Sequence, residues 1–323
     1  MTMQETIQPT ATFSDLFGAV ASNVERVIQG KREVIDLMIL CLVAEGHLLI
    51  EDTPGVGKTS LAKALATSLE ATFGRVQFTP DLLPSDVVGV PIWNRQTNEF
   101  QFRSGPIFNN IVLADEINRA SPKTQSALLE AMAETQVTVD GSTYPLSDPF
   151  MVIATQNPFE HEGTYSLPDS QLDRFLMKIS VGYPSRADEI DVLDTHGESN
   201  QLDTLGPVIS AADVRSMIAT ARHTHVEPAL KEYLVDLANA SRHHRDVQLG
   251  MSPRATLALL RVCRARGAAA GRAYVIPDDV KAMAVPVLGH RLLLTPEAEL
   301  QGIARKDVVA DMLRQVPVPA GPR

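Results

Sequence analysis

A chain of 323 residues is long enough for one large domain or two ordinary ones, and its 44% hydrophobic content supports a well-buried core. With 29 basic against 39 acidic residues, the formal charge of −10 disfavours broad attraction to nucleic acid or anionic lipid, although a local basic pore remains compatible with it. Met1–Thr12 has no basic start followed by an apolar run, and the apolar stretch Val34–Ala44 contains Asp36 and is too short to span a bilayer, so a cytoplasmic location without stable membrane insertion is the default expectation.

In chain order, residues 1–12 are polar and read as a flexible N-terminal tail. Residues 13–196 alternate short β-like runs with helical patterns, the signature of an α/β fold with a parallel sheet sandwiched by helices. The expected strands are His47–Glu51, Arg75–Thr79, Ile111–Asp115, Phe150–Thr155 and Met177–Val181, with helices at Lys31–Ala44, Lys58–Glu70 and Pro122–Glu134. Two β-hairpin inserts interrupt the alternation: Val88–Phe102, turning near Asn94–Asn98, and Gln136–Leu146, turning at Asp140-Gly141. A polar, Gly-flanked linker is expected over 197–206. From 207 to 315 only helical periodicity is found, with Ser210 and Ser252 as N-caps and Pro253 and Pro277 opening helices, which predicts a smaller all-α domain. Residues 316–323, rich in proline, read as a flexible C-terminal tail. Cys41 and Cys263 lie in apolar helical patterns without metal spacing and are expected to be reduced core residues.

The chemistry concentrates in five segments. Pro54-Gly55-Val56-Gly57-Lys58-Thr59, followed by Ser60, lies between the apolar run Leu48-Leu49-Ile50 and a helix starting at Lys58. That is a P-loop: glycines let backbone N–H groups face phosphate oxygens, Lys58 supplies a charge for the β and γ phosphates, and Thr59 offers a hydroxyl to Mg²⁺. The usual opening glycine is replaced by Asp52. Ile111–Glu116 is a buried strand ending in two carboxylates and resembles a Walker B element, with Asp115 beside Mg²⁺ and Glu116 taking a proton from the attacking water. An acidic pair at a strand end also suits a solvated turn or N-cap, but its place downstream of the P-loop favours the catalytic reading. Phe150–Pro158 delivers Asn157 just beyond a strand, where it can orient the water or merely begin a turn. Arg174 ends a short helix before the last strand, suited to an arginine finger donated by a neighbouring subunit. Arg254 opens a helix of the second domain, a position unfavourable to the helix dipole, from which it could reach back to the γ-phosphate.

These elements in this order look like the AAA+ ATPases. Phe78–Asp86, Asp115-Glu116-Ile117-Asn118-Arg119-Ala120, Lys123–Met132, Ala154–Pro158, Leu167–Phe175 and Ser252–Ala255 narrow the resemblance to the MoxR family, over nearly the whole chain. The resemblance implies a P-loop core with two hairpin inserts and an α-helical lid, ATP and Mg²⁺ as ligands, and a ring homo-oligomer, expected to be a hexamer. It further implies chaperone-like maturation or activation of a client protein complex, including metal or cofactor insertion, with a partner that contains a von Willebrand factor A domain. Val27 and Ile28, within Val27-Ile28-Gln29-Gly30, match the family's adenine-pocket segment, although both would also serve a core helix.

Two competing readings carry different expectations. Helicase-type motors share these inserts, but the acidic charge and thin cation supply of the hairpins, Arg95 with Arg103 at the edge, argue against nucleic acid. A nucleotide-gated scaffold would bind ATP without turning it over. Trp93, the only tryptophan, is expected to pack its hairpin against the domain, in preference to gripping a client. His223, His225, His243 and His244 match no common metal spacing.

Overall fold

In the computed structural model, residues 11–158, 164–190 and 201–319 are described. Residues 1–10 of the tail expected over 1–12, the first part of the linker at 197–200 and the last four residues lie outside these, whereas Thr12 caps the first helix, its Oγ1 accepting from Asp15 N at 3.3 Å. Five parallel strands form the central sheet: β1 (Leu48–Glu51), β2 (Phe73–Gln77), β5 (Ile111–Asp115), β8 (Met151–Gln156) and β9 (Met177–Ile179), in the order β2-β5-β8-β1-β9. The interior strands are apolar at nearly every position because both faces are covered. Successive residues divide between two cores. Leu48, Ile50, Ile111, Leu113, Met151 and Ile153 join one, while Leu49, Val112, Ala114, Val152 and Ala154 join the other.

The first core receives helices α1 (Phe13–Glu25), α2 (Arg32–Val43) and α3 (Lys58–Ser68); the second receives α4 (Pro84–Val88) and α5 (Pro122–Glu134). Helix α5 begins where Ser121 caps Thr124 N and ends at Thr135, whose left-handed backbone (φ 51°) stops it. Both hairpins are present, β3 (Gly89–Asn94) with β4 (Glu99–Ser104), and β6 (Gln136–Val139) with β7 (Ser142–Pro145). Trp93 does not perform the anchoring expected of it. It is half-exposed and meets its cross-strand partner Phe100 edge-on at 5.1 Å. Phe102 ties the hairpin down instead, stacking on Tyr144 of the second hairpin at 4.1 Å and meeting Phe108 at 5.6 Å.

A short helix α6 (Asp169–Leu172) precedes β9 in the core, and the second domain contains α7 (Ala211–His223), α8 (Pro228–His243), α9 (Pro253–Ala269), α10 (Pro277–Leu288), α11 (Pro296–Leu300) and α12 (Arg305–Gln315). It is not purely helical: β10 (Val247–Leu249) pairs antiparallel with β11 (Leu293–Leu294), strands too short to leave a periodic signal. Strand β2 sits two residues earlier than expected, since the ladder ends where Asp115 O accepts from Phe78 N at 2.8 Å. The linker is also less free than its composition suggests. Leu202 is buried, Asn23 Nδ2 donates to Gly206 O at 3.0 Å, and the Val208 and Ile209 amides both donate to Ser68 O. Val316 is buried against the core and donates to Met312 O, so the C-terminal segment is held at least that far. Cys41 and Cys263 are buried free thiols in one continuous core that runs from the sheet into the second domain. Burial pushes both thiols' pKa values up.

Candidate functional site

The P-loop connects β1 to α3. Gly55 and Gly57 both have φ +85°, a backbone that side chains rarely tolerate, and Ile28 Cδ1 lies 3.5 Å from where a Cβ on Gly57 would stand. Ile28, like Val27, is buried, so the expected adenine-pocket segment does abut the loop while also serving the core. Lys58 Nζ donates to the loop's own Asp52 and Thr53 carbonyls at 3.0 and 3.2 Å. A pocket of about 370 Å³ brings together Pro54, Gly55, Gly57, Lys58, Thr59, Ser60, Asp115, Glu116 and Asn157, with Arg75 added from β2. Val56 is partly buried against the core instead of lining this pocket.

The register explains the convergence. Strands β1, β5 and β8 run parallel, so the P-loop, the Asp115-Glu116 pair and Asn157 all emerge at their C-terminal ends. Thr155, one residue before the end of β8, donates to Asp115 Oδ1 at 2.7 Å and accepts from Glu116 N at 2.9 Å. Glu116 has left-handed backbone (φ 56°), a conformation that costs on the order of 1 kcal/mol or more and that clusters at functional sites. Its Oε2 accepts from Gln77 Nε2 at 2.8 Å and from Arg119 Nη1 at 3.1 Å. Arg75 Nη2 contacts Asp115 Oδ2 at 2.7 Å. A threonine and an aspartate opening on one pocket supply the oxygen donors that Mg²⁺ prefers, so the residues fit that ion.

Asp52 fills the usual glycine position for a structural reason. Its Oδ2 accepts from Ser180 Oγ (2.9 Å), Val181 N (2.7 Å) and Gly182 N (2.6 Å), and its Oδ1 from Thr53 N (2.9 Å). Burial works to raise its pKa, but these donors, Gly182 foremost, outweigh it and hold the carboxyl below the usual range. The side chain thereby ties the P-loop to the segment leaving β9.

Arg174 and Arg254 lie elsewhere. Both line a second cavity of about 680 Å³ with Arg222, Arg261 and Arg291, bounded also by His47 and Phe150. His47 precedes β1 and Phe150 precedes β8, so this cavity is at the N-terminal end of the sheet. The P-loop is at the other end, on the order of 15–20 Å away at about 3.3 Å per strand residue. Arg254 therefore does not reach back to the phosphate pocket of its own chain; its nearest ionic partner is Asp173, at 4.0 Å. Arg174 Nη1 donates to Leu129 O at 2.6 Å. Its segment is clamped by Arg291, whose buried guanidinium contacts Asp173 Oδ1 (2.7 Å), Phe175 O (2.7 Å) and Leu176 O (3.0 Å). His290 adds a contact to Phe175 O at 3.0 Å.

Sequence reading missed Thr155, Arg75, Gln77, Arg261 and Arg291. A lone polar residue in the apolar run of β8 was a usable signal for the first. The alternation of Arg75 and Gln77 on the edge strand β2 was one for the next two. Nothing in the sequence marked Arg291, whose role depends on how the domains pack. His225 meets Glu227 and His244 meets Asp311, each at 3.1 Å. Among the described residues no helix is long and apolar enough to cross a membrane.

Residues 47–177 match the ATPase family associated with various cellular activities (AAA), and 239–312 match the AAA lid domain. The chain is 50% identical to the Bacillus subtilis protein YeaC over 319 residues, covering 99% of this chain and 98% of that one. It is 40% identical to Chaperone MoxR1 of Mycobacterium tuberculosis, covering 92% of this chain and 80% of that protein. A crystal structure from Cytophaga hutchinsonii, assigned as an ATPase, superposes with a TM-score of 0.90 at 37% identity, covering 95% and 96% of the two chains. With the P-loop fold, the helical lid and these relatives together, the chain belongs to the MoxR family of AAA+ ATPases, nucleotide-binding enzymes that hydrolyse ATP.

Proposed function

We propose that this ATPase works as a ring, expected to be a cytoplasmic hexamer, in which each ATP is shared by two copies of the chain. One copy supplies Lys58, Thr59, Asp115, Glu116 and Asn157; the next supplies Arg174 and Arg254. The observation that carries this reading is the separation of the two groups to opposite ends of one sheet, which leaves neither group complete within a chain. A ring stacking the P-loop end of one copy on the arginine-lined end of the next completes the site. Glu116 accepts the proton of the attacking water, Asn157 orients that water, and the guanidinium groups meet the charge developing on the γ-phosphate. Thr59 and Asp115 would hold Mg²⁺, which supplies charge neutralisation at the phosphates when bound.

The output of the cycle, in this reading, is chaperone-like remodelling of a client protein complex, which extends to metal or cofactor insertion and employs a von Willebrand factor A partner. The support is the family and the relative named a chaperone. A nucleic-acid motor is less well supported by a chain of net charge −10.

The test is to mix Arg174→Ala with Lys58→Ala protein, each inactive alone. Partial recovery of ATP turnover is expected, because some mixed interfaces combine an intact P-loop with an intact Arg174. No recovery at any ratio, with both variants assembled, would remove the shared site. Glu116→Gln should bind ATP and retain its partners in a pull-down while turning over about 10²–10⁴-fold more slowly.

A further inference from the structure

Arg75 stands in the phosphate pocket with no part in the reaction as described, and its contacts suggest one. Thr155 holds Asp115 Oδ1, so Oδ2 is the oxygen left to face the pocket, and Arg75 Nη2 occupies it at 2.7 Å. The same nitrogen donates to Gln77 Oε1 at 3.1 Å. With its oxygen engaged this way, the Gln77 amide can only turn its NH₂ toward Glu116, which it reaches at 2.8 Å. Resting on the reading of Asp115 and Glu116 above, we propose that Arg75 is a positioning residue: a resident counter-ion on Asp115 that the incoming divalent cation displaces, and whose departure also frees Gln77, one of the two donors, with Arg119, on Glu116. Metal arrival then loosens the base, with Arg119 as its remaining partner. The guanidinium is half-exposed, so it can swing into water at small cost, whereas Asp115 is mostly buried and cannot follow it.

The experiment follows binding of a fluorescent, non-hydrolysable ATP analogue to the full chain while Mg²⁺ is varied at constant ionic strength. An ion pair of this exposure is worth up to about 1 kcal/mol, so Arg75→Gln should lower the Mg²⁺ midpoint roughly three- to five-fold. Affinity measured in EDTA should be unchanged, which also certifies a folded pocket. Gln77→Leu should lower the midpoint by a smaller factor, and the double variant should match Arg75→Gln alone, because both act through one contact. An unmoved midpoint in Arg75→Gln overturns the proposal. So does a loss of EDTA affinity with the midpoint intact, which would make Arg75 a phosphate ligand. Additive shifts in the double variant overturn the relay. If the wild type shows no Mg²⁺-dependent tightening, or Asp115→Asn retains all of it, the reading of the site itself fails along with this inference.

Discussion

Asp52→Gly restores the residue that most P-loops carry and should nevertheless weaken this protein. The carboxylate accepts four hydrogen bonds, three of them on Oδ2 from the segment Ser180–Gly182. Ser180 is exposed and Gly182 partly so, and both can turn to water. Val181 N is buried and cannot, so it is stranded at about 1–3 kcal/mol. Adding part of the worth of the other charge-assisted bonds gives a loss of about 3 kcal/mol, or ~5–10 °C in thermal midpoint. Asp52→Asn, retaining one acceptor oxygen, should fall between. Because the folded pKa lies below its unfolded value, the contribution is fully present above about pH 4 and disappears as pH falls through the folded value. The gap between wild type and Asp52→Gly in urea unfolding should therefore narrow in acid. A gap under about 1 kcal/mol at pH 7 would refute the claim that this side chain ties the P-loop to the chain leaving β9.

Burial drives the pKa of His47 down to about 4, and its Nδ1 accepts from Val152 N at 3.0 Å while Nε2 faces Met132 O. The unfolded chain takes up that proton first, so stability should fall as pH drops from about 6.5 towards 4, and His47→Gln should flatten the slope of urea midpoint against pH; an equally steep slope in that variant counts against the assignment. Arg291→Leu breaks a buried pair at a cost of about 3–5 kcal/mol and loosens the segment bearing Arg174. Turnover should fall with nucleotide affinity unchanged, Arg291→Lys restoring part of it; weakened nucleotide binding would show instead that the clamp acts on the P-loop end.

How much of this the sequence disclosed depends on how local each signal was. Lys58, Thr59, Asp115, Glu116 and Asn157 converge because each follows an apolar strand of a parallel sheet, and such sheets place their sites at the strands' C-terminal ends. Composition and order suffice for that inference. Helix α5 was legible to the residue, with its serine cap and proline start, because its boundaries are set within its own few positions. The strands of the second domain were not, being two and three residues long.

Arg254 shows where local reading stops. Its place at a helix start identified an arginine out of keeping with the dipole, but where it lies relative to the phosphate pocket depends on how the second domain lies against the sheet. That is decided by the continuous apolar core joining α2 to α7 and α9, and by the salt link of Arg222 to Glu45, none of which is local in sequence. Once the helix bearing Arg254, Ala258 and Arg261 packs at the N-terminal end of the strands, its arginines face away from their own nucleotide. An arginine supplied from outside the chain makes hydrolysis conditional on assembly, because a copy without a neighbour lacks the charge that stabilises the transition state. Under the shared site proposed above, the packing that hid the position of Arg254 from the sequence is the same feature that would tie ATP turnover to the ring.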